Sequence, residues 1–121
     1  MRVANEAVRE LSGQPCSPAP FGSVVVDHGT NPTTVVCVGA NKVGSTGDPT
    51  QHGEVSTIQK CTETLASQGL SPQEILKRWR DLSIYTNGEP CPMCSSAIRW
   101  AGFKEVVRHR HIISPRALCL R

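Results

Sequence analysis

Residues 82–102 read LSIYTNGEPCPMCSSAIRWAG. The opening LSIYTN is a compact run with β-branched and aromatic side chains, sized for one strand. GEPCPMC then turns the chain into a helix whose expected core face is Met93, Ala97, Ile98 and Ala101. KEVVRHRHII, from Lys104, offers a further strand. Helices alternate with strands from residue 52 onward, which predicts an α/β layer structure with at least one parallel crossover.

The same stretch carries chemistry. Cys91 and Cys94 are three apart, so in the first turn of a helix they share a face and can reach one ion. Pro90 forces an extended entry and Pro92 suits the first helical position. The positive end of the helix dipole there favours the thiolate that zinc requires. A structural zinc site would close its tetrahedron with a fourth protein ligand, often from a second C-x-x-C or H-x-x-x-H, and neither is present. Cys16, Cys37, Cys61 and Cys119 stand alone, and His109 and His111 are two apart in an expected strand, pointing to opposite faces.

Three ligands and one open position define a catalytic zinc, and His52 is the best third ligand. Glu54, two residues on, supplies a carboxylate to take a proton from the attacking water and return it to a ring nitrogen and a leaving amine. Each motif is weak alone, since H-x-E is common by chance and a lone C-x-x-C can be a redox pair or two buried thiols. Their order and their turn-to-helix contexts make the joint site specific.

Working outward, Gly-, Ser-, Asn- and Pro-rich ANKVGSTGDPTQHG leads into Val55, Ile58, Cys61 and Leu65 along one helical face. His52 and Glu54 therefore sit where a loop becomes a helix. SPQEILKRW has a serine cap, proline at the first helical position and glutamate at the third, predicting a short helix. Upstream, GSVVVDH and TTVVCVG around GTNP predict a hairpin, and its nearly all-apolar strands call for helices on both sheet faces. Ala4, Ala7, Val8 and Leu11 place a first helix over residues 2–12, which Gly13 can end before the proline-broken QPCSPAP.

A chain of 121 residues has room for one core, so a single domain over 1–121 is expected. Hydrophobic content of 38% and charged content of 19% are those of an ordinary globular chain. No apolar run is long enough to span a bilayer and MRVANEAVREL is no signal-peptide core, so a soluble, cytoplasmic protein in a reducing compartment, with no membrane partner, is expected. The net charge of +3 is unevenly placed: residues 1–98 carry seven basic and nine acidic side chains, residues 99–121 six and one. Such a basic tail can contact nucleic acid, although a charge run is more often a solvated surface.

QHGEV followed by EPCPMC resembles the H-x-E and P-C-x-x-C signature of the zinc-dependent cytidine/deoxycytidylate deaminase superfamily. More narrowly, the chain is similar to the branch with fungal cytosine deaminase, guanine deaminase and tRNA adenosine deaminase. The first helix, APFGSVVVD, GANKVGSTGDPTQHGE and YTNGEPCPMCSSAIRWAGFKEVV match that branch in order over 1–107. The resemblance implies a three-layer α-β-α sheet with helices on both faces, one zinc ion per chain held by His52, Cys91 and Cys94, and Glu54 as proton shuttle. It further implies that Asn41, eleven residues before His52, hydrogen-bonds the base with an amide that donates and accepts. Gly53 and Cys91 would border the pocket through their backbones, and Phe21 would line it.

Two stretches depart from the family pattern. GLSPQEILKRWR, residues 69–80, reads as an insertion of the kind surface loops accommodate cheaply. RHRHIISPRALCLR, residues 108–121, does not resemble the usual end of the fold, so a truncated or altered terminus with a bare sheet edge is expected. Trp79 and Trp100 are read as core or interface side chains. The leading expectation is zinc-dependent hydrolytic deamination of a cytosine-, guanine- or adenine-type base or nucleoside by a homodimer. A tRNA adenosine-editing enzyme and an inactive zinc-binding protein of the same fold are the alternatives.

Overall fold

The two β-branched runs pair as expected. In a computed structural model, which describes residues 2–12 and 20–108, they form an antiparallel hairpin of β1 (Gly22–Asp27) and β2 (Thr34–Ala40). Helix α1 (Arg2–Ser12) precedes them; α2 (Val43–Thr46), α3 (Gly53–Ser67), α4 (Pro72–Arg78), β3 (Leu82–Thr86), α5 (Pro92–Ala101) and β4 (Glu105–Arg108) follow. The described sheet has the order β2-β1-β3-β4. β1 runs antiparallel to β3, while β3 and β4 are parallel, so β3–α5–β4 is the expected crossover.

Helices cover both faces, and two close approaches show which. A Cβ on Gly22 would lie 2.7 Å from Val8 Cγ2 of α1, whereas a Cβ on Gly39 would run into Thr57 Oγ1 of α3. Gly22 pairs with Ala40 and Gly39 with Ser23, so the two glycines face opposite sides of the sheet. The main core lies on the α3 side, where Val25, Leu82 and Ile84 of the sheet meet Leu65 of α3, Ile75 of α4 and Ile98 of α5. The chain is thus a three-layer α-β-α sheet, with α1 on one face.

Several details correct the sequence reading. Leu11 is exposed, and α1 buries Ala4 and Val8 instead. On α3, Val55 is only half-buried while Thr57 is fully buried, because the glycine at position 39 brings strand and helix backbones together. Residues 69–80, read as an insertion carrying a short helix, reach the main core: Ile75 and Trp79 are buried in it, and Trp79 meets Phe103 edge-on at 5.0 Å. Cys37 and Cys61 do not stand alone; β2 and α3 present both to the same core layer, where they pair as a disulfide with Cα atoms 5.4 Å apart.

Asp27, at the end of β1, is buried and ion-paired to Arg78 of α4, which fastens that helix to the sheet. Among the described residues no helix is long and apolar enough to cross a membrane. Gly13, Cys16, His109, His111 and Cys119, and with them three of the six basic side chains of residues 99–121, lie outside the described residues.

Candidate active site

Two helix starts converge on one point. His52 is the N-cap of α3 and Cys91 the N-cap of α5, each in extended backbone with no side-chain cap hydrogen bond. Their side chains are therefore turned to other work at the positive ends of both helices. His52 Nδ1 lies 3.6 Å from Cys91 Sγ, and with Cys94 Sγ one turn into α5 the three possible ligand atoms all fall within 4.8 Å of one another. Pro92 opens α5, so the C-x-x-C spacing places both sulfurs as the sequence reading requires.

Two sulfurs and one imidazole nitrogen are the donor set of a three-ligand zinc site with an open fourth position. The chemistry of Cys94 fits that assignment. Burial pushes its thiol well above the ordinary cysteine value, and the neighbouring carboxylate of Glu54 and sulfur of Cys91 push it the same way. A cation among these groups removes the conflict that places two sulfurs and a carboxylate together in a buried site.

Glu54 is itself buried, at 4% exposure, and accepts a hydrogen bond from Thr86 Oγ1 at 3.2 Å. Thr86 ends β3, so the strand that leads to the C-x-x-C also orients the carboxylate. Sequence reasoning missed this residue, as it missed Asn87. The Asn87 side chain accepts from Gly22 N at 3.0 Å and donates to Pro20 O at 2.9 Å, tying the loop before α5 to the start of β1. The only signal for either was their place between a strand and the cysteine motif.

A cavity of about 460 Å³ opens onto this cluster, lined by Phe21, Asn41, Val43, Gly44, His52, Glu54, Glu89 and Cys91. Asn41 is thus brought to the site: its N–H donates to Phe21 O at 2.8 Å and its Oδ1 accepts from Val43 N at 3.1 Å. Phe21 stands at the wall with 39% exposure. Gly53 lies behind the wall, where a Cβ would come within 2.7 Å of Phe21 O, so only glycine lets α3 start this close. A second cavity of about 420 Å³, lined by Ile98, Arg99, Phe103 and Arg108 among others, holds none of the candidate ligands.

The comparisons with known proteins agree with this geometry. The family described as "Cytidine and deoxycytidylate deaminase zinc-binding region" matches residues 1–110. The guanine deaminase of Bacillus subtilis (strain 168) is 39% identical over 87 residues, covering 72% of this chain and 47% of that protein. A probable cytosine deaminase of Schizosaccharomyces pombe is 35% identical over 91 residues, covering 73% and 45%. The X-ray structure of guanine deaminase from Bacillus subtilis superposes with a TM-score of 0.66 at 32% identity, covering 89% of this chain and 60% of that one. The chain spans about half the length of these curated relatives.

Proposed function

The chain belongs to the cytidine and deoxycytidylate deaminase family, and from that membership we propose that it hydrolyses the exocyclic amino group of a nucleobase or nucleoside, releasing ammonia. The observation that carries this reading is the meeting of His52, Cys91 and Cys94 within 4.8 Å beside a cavity that the Glu54 side chain also lines. In this reading His52, Cys91 and Cys94 hold one zinc ion. When bound, zinc supplies a Lewis acid and lowers the pKa of water to about 7.

The rest falls to the chain's own groups. Glu54, oriented by Thr86, takes one proton from the attacking water and delivers it to the ring nitrogen, then takes the second proton from the added hydroxyl and delivers it to the departing amine. Water adds at the amine-bearing carbon, the C–N bond breaks, and the products are an oxo base and ammonia. Asn41 hydrogen-bonds the base, Phe21 covers one side of it, and the backbones of Gly53 and Cys91 border it. Burial of Glu54 shields its carboxyl from bulk water while it carries these protons.

The test is ammonia release from cytosine, guanine, adenine, their nucleosides and a tRNA anticodon stem, with zinc-loaded protein beside Glu54→Ala. Release that Glu54→Ala lowers by about 10²-fold or more, with zinc content unchanged, supports the reading. Full activity in the variant removes the mechanism. Release from the tRNA stem alone moves the substrate to tRNA, and silence with zinc bound leaves an inactive protein of this fold. A homodimer belongs to the same reading; β4 is an outer strand of the described sheet and Trp100 is 88% exposed, and a monomeric mass in solution would remove it.

A further inference from the structure

Three hydroxyls and one carboxylate lie buried where β1 and β3 meet the start of α3: Ser23, Thr57 and Thr86 are 0% exposed and Glu54 4%. The sheet register puts Ser23 directly opposite Thr86. Asn87 N donates to Gly22 O at 3.2 Å, so Gly22 and Asn87 share a hydrogen-bonded rung. Ser23 and Thr86 occupy the next rung, a non-hydrogen-bonded one, where opposing side chains come closest. Both face α3, since Thr86 reaches Glu54 there and Gly39, the other neighbour of Ser23, faces Thr57. Opposed pairs of this kind hold their Cβ atoms about 4.5–5.5 Å apart.

One hydroxyl of the group has no partner. Thr57 Oγ1 donates to Gly53 O at 2.6 Å and Thr86 Oγ1 to Glu54 Oε1 at 3.2 Å, whereas Ser23 Oγ makes no hydrogen bond. A fully enclosed donor left unpaired is destabilising, which drives the side chain toward any acceptor within reach. Thr86 Oγ1 is such an acceptor. A hydroxyl donates once and accepts twice; the proton of Thr86 is committed to Glu54, and its lone pairs are open. A turn of Ser23 about Cα–Cβ to another staggered position swings its Oγ toward the opposing strand. A donor arriving at the Thr86 oxygen fixes the direction of that hydroxyl and polarises it, which strengthens its bond to Glu54.

Resting on the deaminase reading of Glu54, we propose that Ser23 is a positioning residue. Its hydroxyl donates to Thr86 Oγ1, and the buried chain from Ser23 through Thr86 to Glu54 holds the carboxylate in line for proton transfer.

The experiment is a double-mutant cycle on the zinc-loaded chain with Ser23→Ala, Thr86→Val and the two combined, read by melting temperature and by the kinetics of ammonia release from the base that the parent accepts. Ser23→Ala should lower kcat about three- to tenfold with KM unchanged, and should lower the melting temperature. Both effects should vanish in the Thr86→Val background and persist in Thr86→Ser, which keeps the hydroxyl. An unchanged or raised melting temperature in Ser23→Ala would show an idle hydroxyl and overturn the proposal. Equal losses with and without the Thr86 hydroxyl, which assign Ser23 to packing, overturn it too, as does a change in KM alone. Coupling in the melting cycle of a chain that releases no ammonia would sink the deaminase reading and leave the hydroxyl chain standing; ammonia release without coupling does the reverse.

Discussion

Cys94 sits fully buried, with the carboxylate of Glu54 and the sulfur of Cys91 beside it. Its raised thiol value means that the metal-free side chain is protonated at neutral pH, so zinc must displace that proton to bind. The sign follows directly: lowering the pH favours the protonated thiol and weakens the metal. Competition against a chelator should show zinc affinity falling as pH drops from about 8 to about 6, with proton release on binding. A flat profile would show that no thiol proton is displaced. Gly53 is the other residue whose role is its size, and Gly53→Ala forces a contact of 2.7 Å with backbone. It should cost roughly 1–3 kcal/mol in denaturant unfolding and lower turnover by moving His52 and Glu54. The ligands were readable at this scale because C-x-x-C and H-x-E are local patterns. Thr86, Asn87 and Glu89 were not, because their partners lie 32, 65 and 19 positions away.

Elements were read well wherever periodicity or capping was local. Ser71 and Glu74 form the expected capping box on α4, with Ser71 N donating to Glu74 Oε2 at 2.7 Å. Ser71→Ala should cost about 1 kcal/mol in unfolding free energy, and since Ser71 lines neither cavity, turnover should not change. What fixes α4 to the sheet was invisible in its own sequence. The Asp27 carboxyl is held below its ordinary 3.8 by the backbone N–H of Gly29 and then by Arg78, against the opposing effect of burial. A carboxyl that ionises more readily folded than unfolded stabilises above that ordinary value, and the contribution is lost as pH falls through the lower folded value. Arg78→Ala should therefore destabilise by about 1–3 kcal/mol at neutral pH. The gap to the parent should narrow below about pH 4. An undiminished gap in acid would assign the loss to packing.

For the whole molecule, the metal cluster joins the starts of α3 and α5, so zinc links two helices that otherwise meet through their apolar faces. Anything that binds the native state and not the unfolded one raises the melting temperature. Zinc loading should do so, and Cys94→Ser should abolish the increment while leaving the metal-free melting temperature close to the parent's. The distribution of the core carries a second lesson. Residues 69–80, which read as an insertion of the kind surface loops accommodate cheaply, place Ile75 and Trp79 in the main cluster, so that segment is part of the fold's support.

The sequence by itself determined the α/β alternation, the crossover at 82–108, the capping box that starts α4, the proline that opens α5, and the three residues able to hold zinc. Each of these depends on side-chain spacing within a turn or a strand, where separation along the chain is separation in space. Only the tertiary structure decided that Cys37 meets Cys61, that Asp27 meets Arg78, that Thr86 orients Glu54, and that Glu89 meets Arg108. Those pairs join segments brought together by sheet order and by helices crossing it, and a one-residue change of register would have turned each away to the other face.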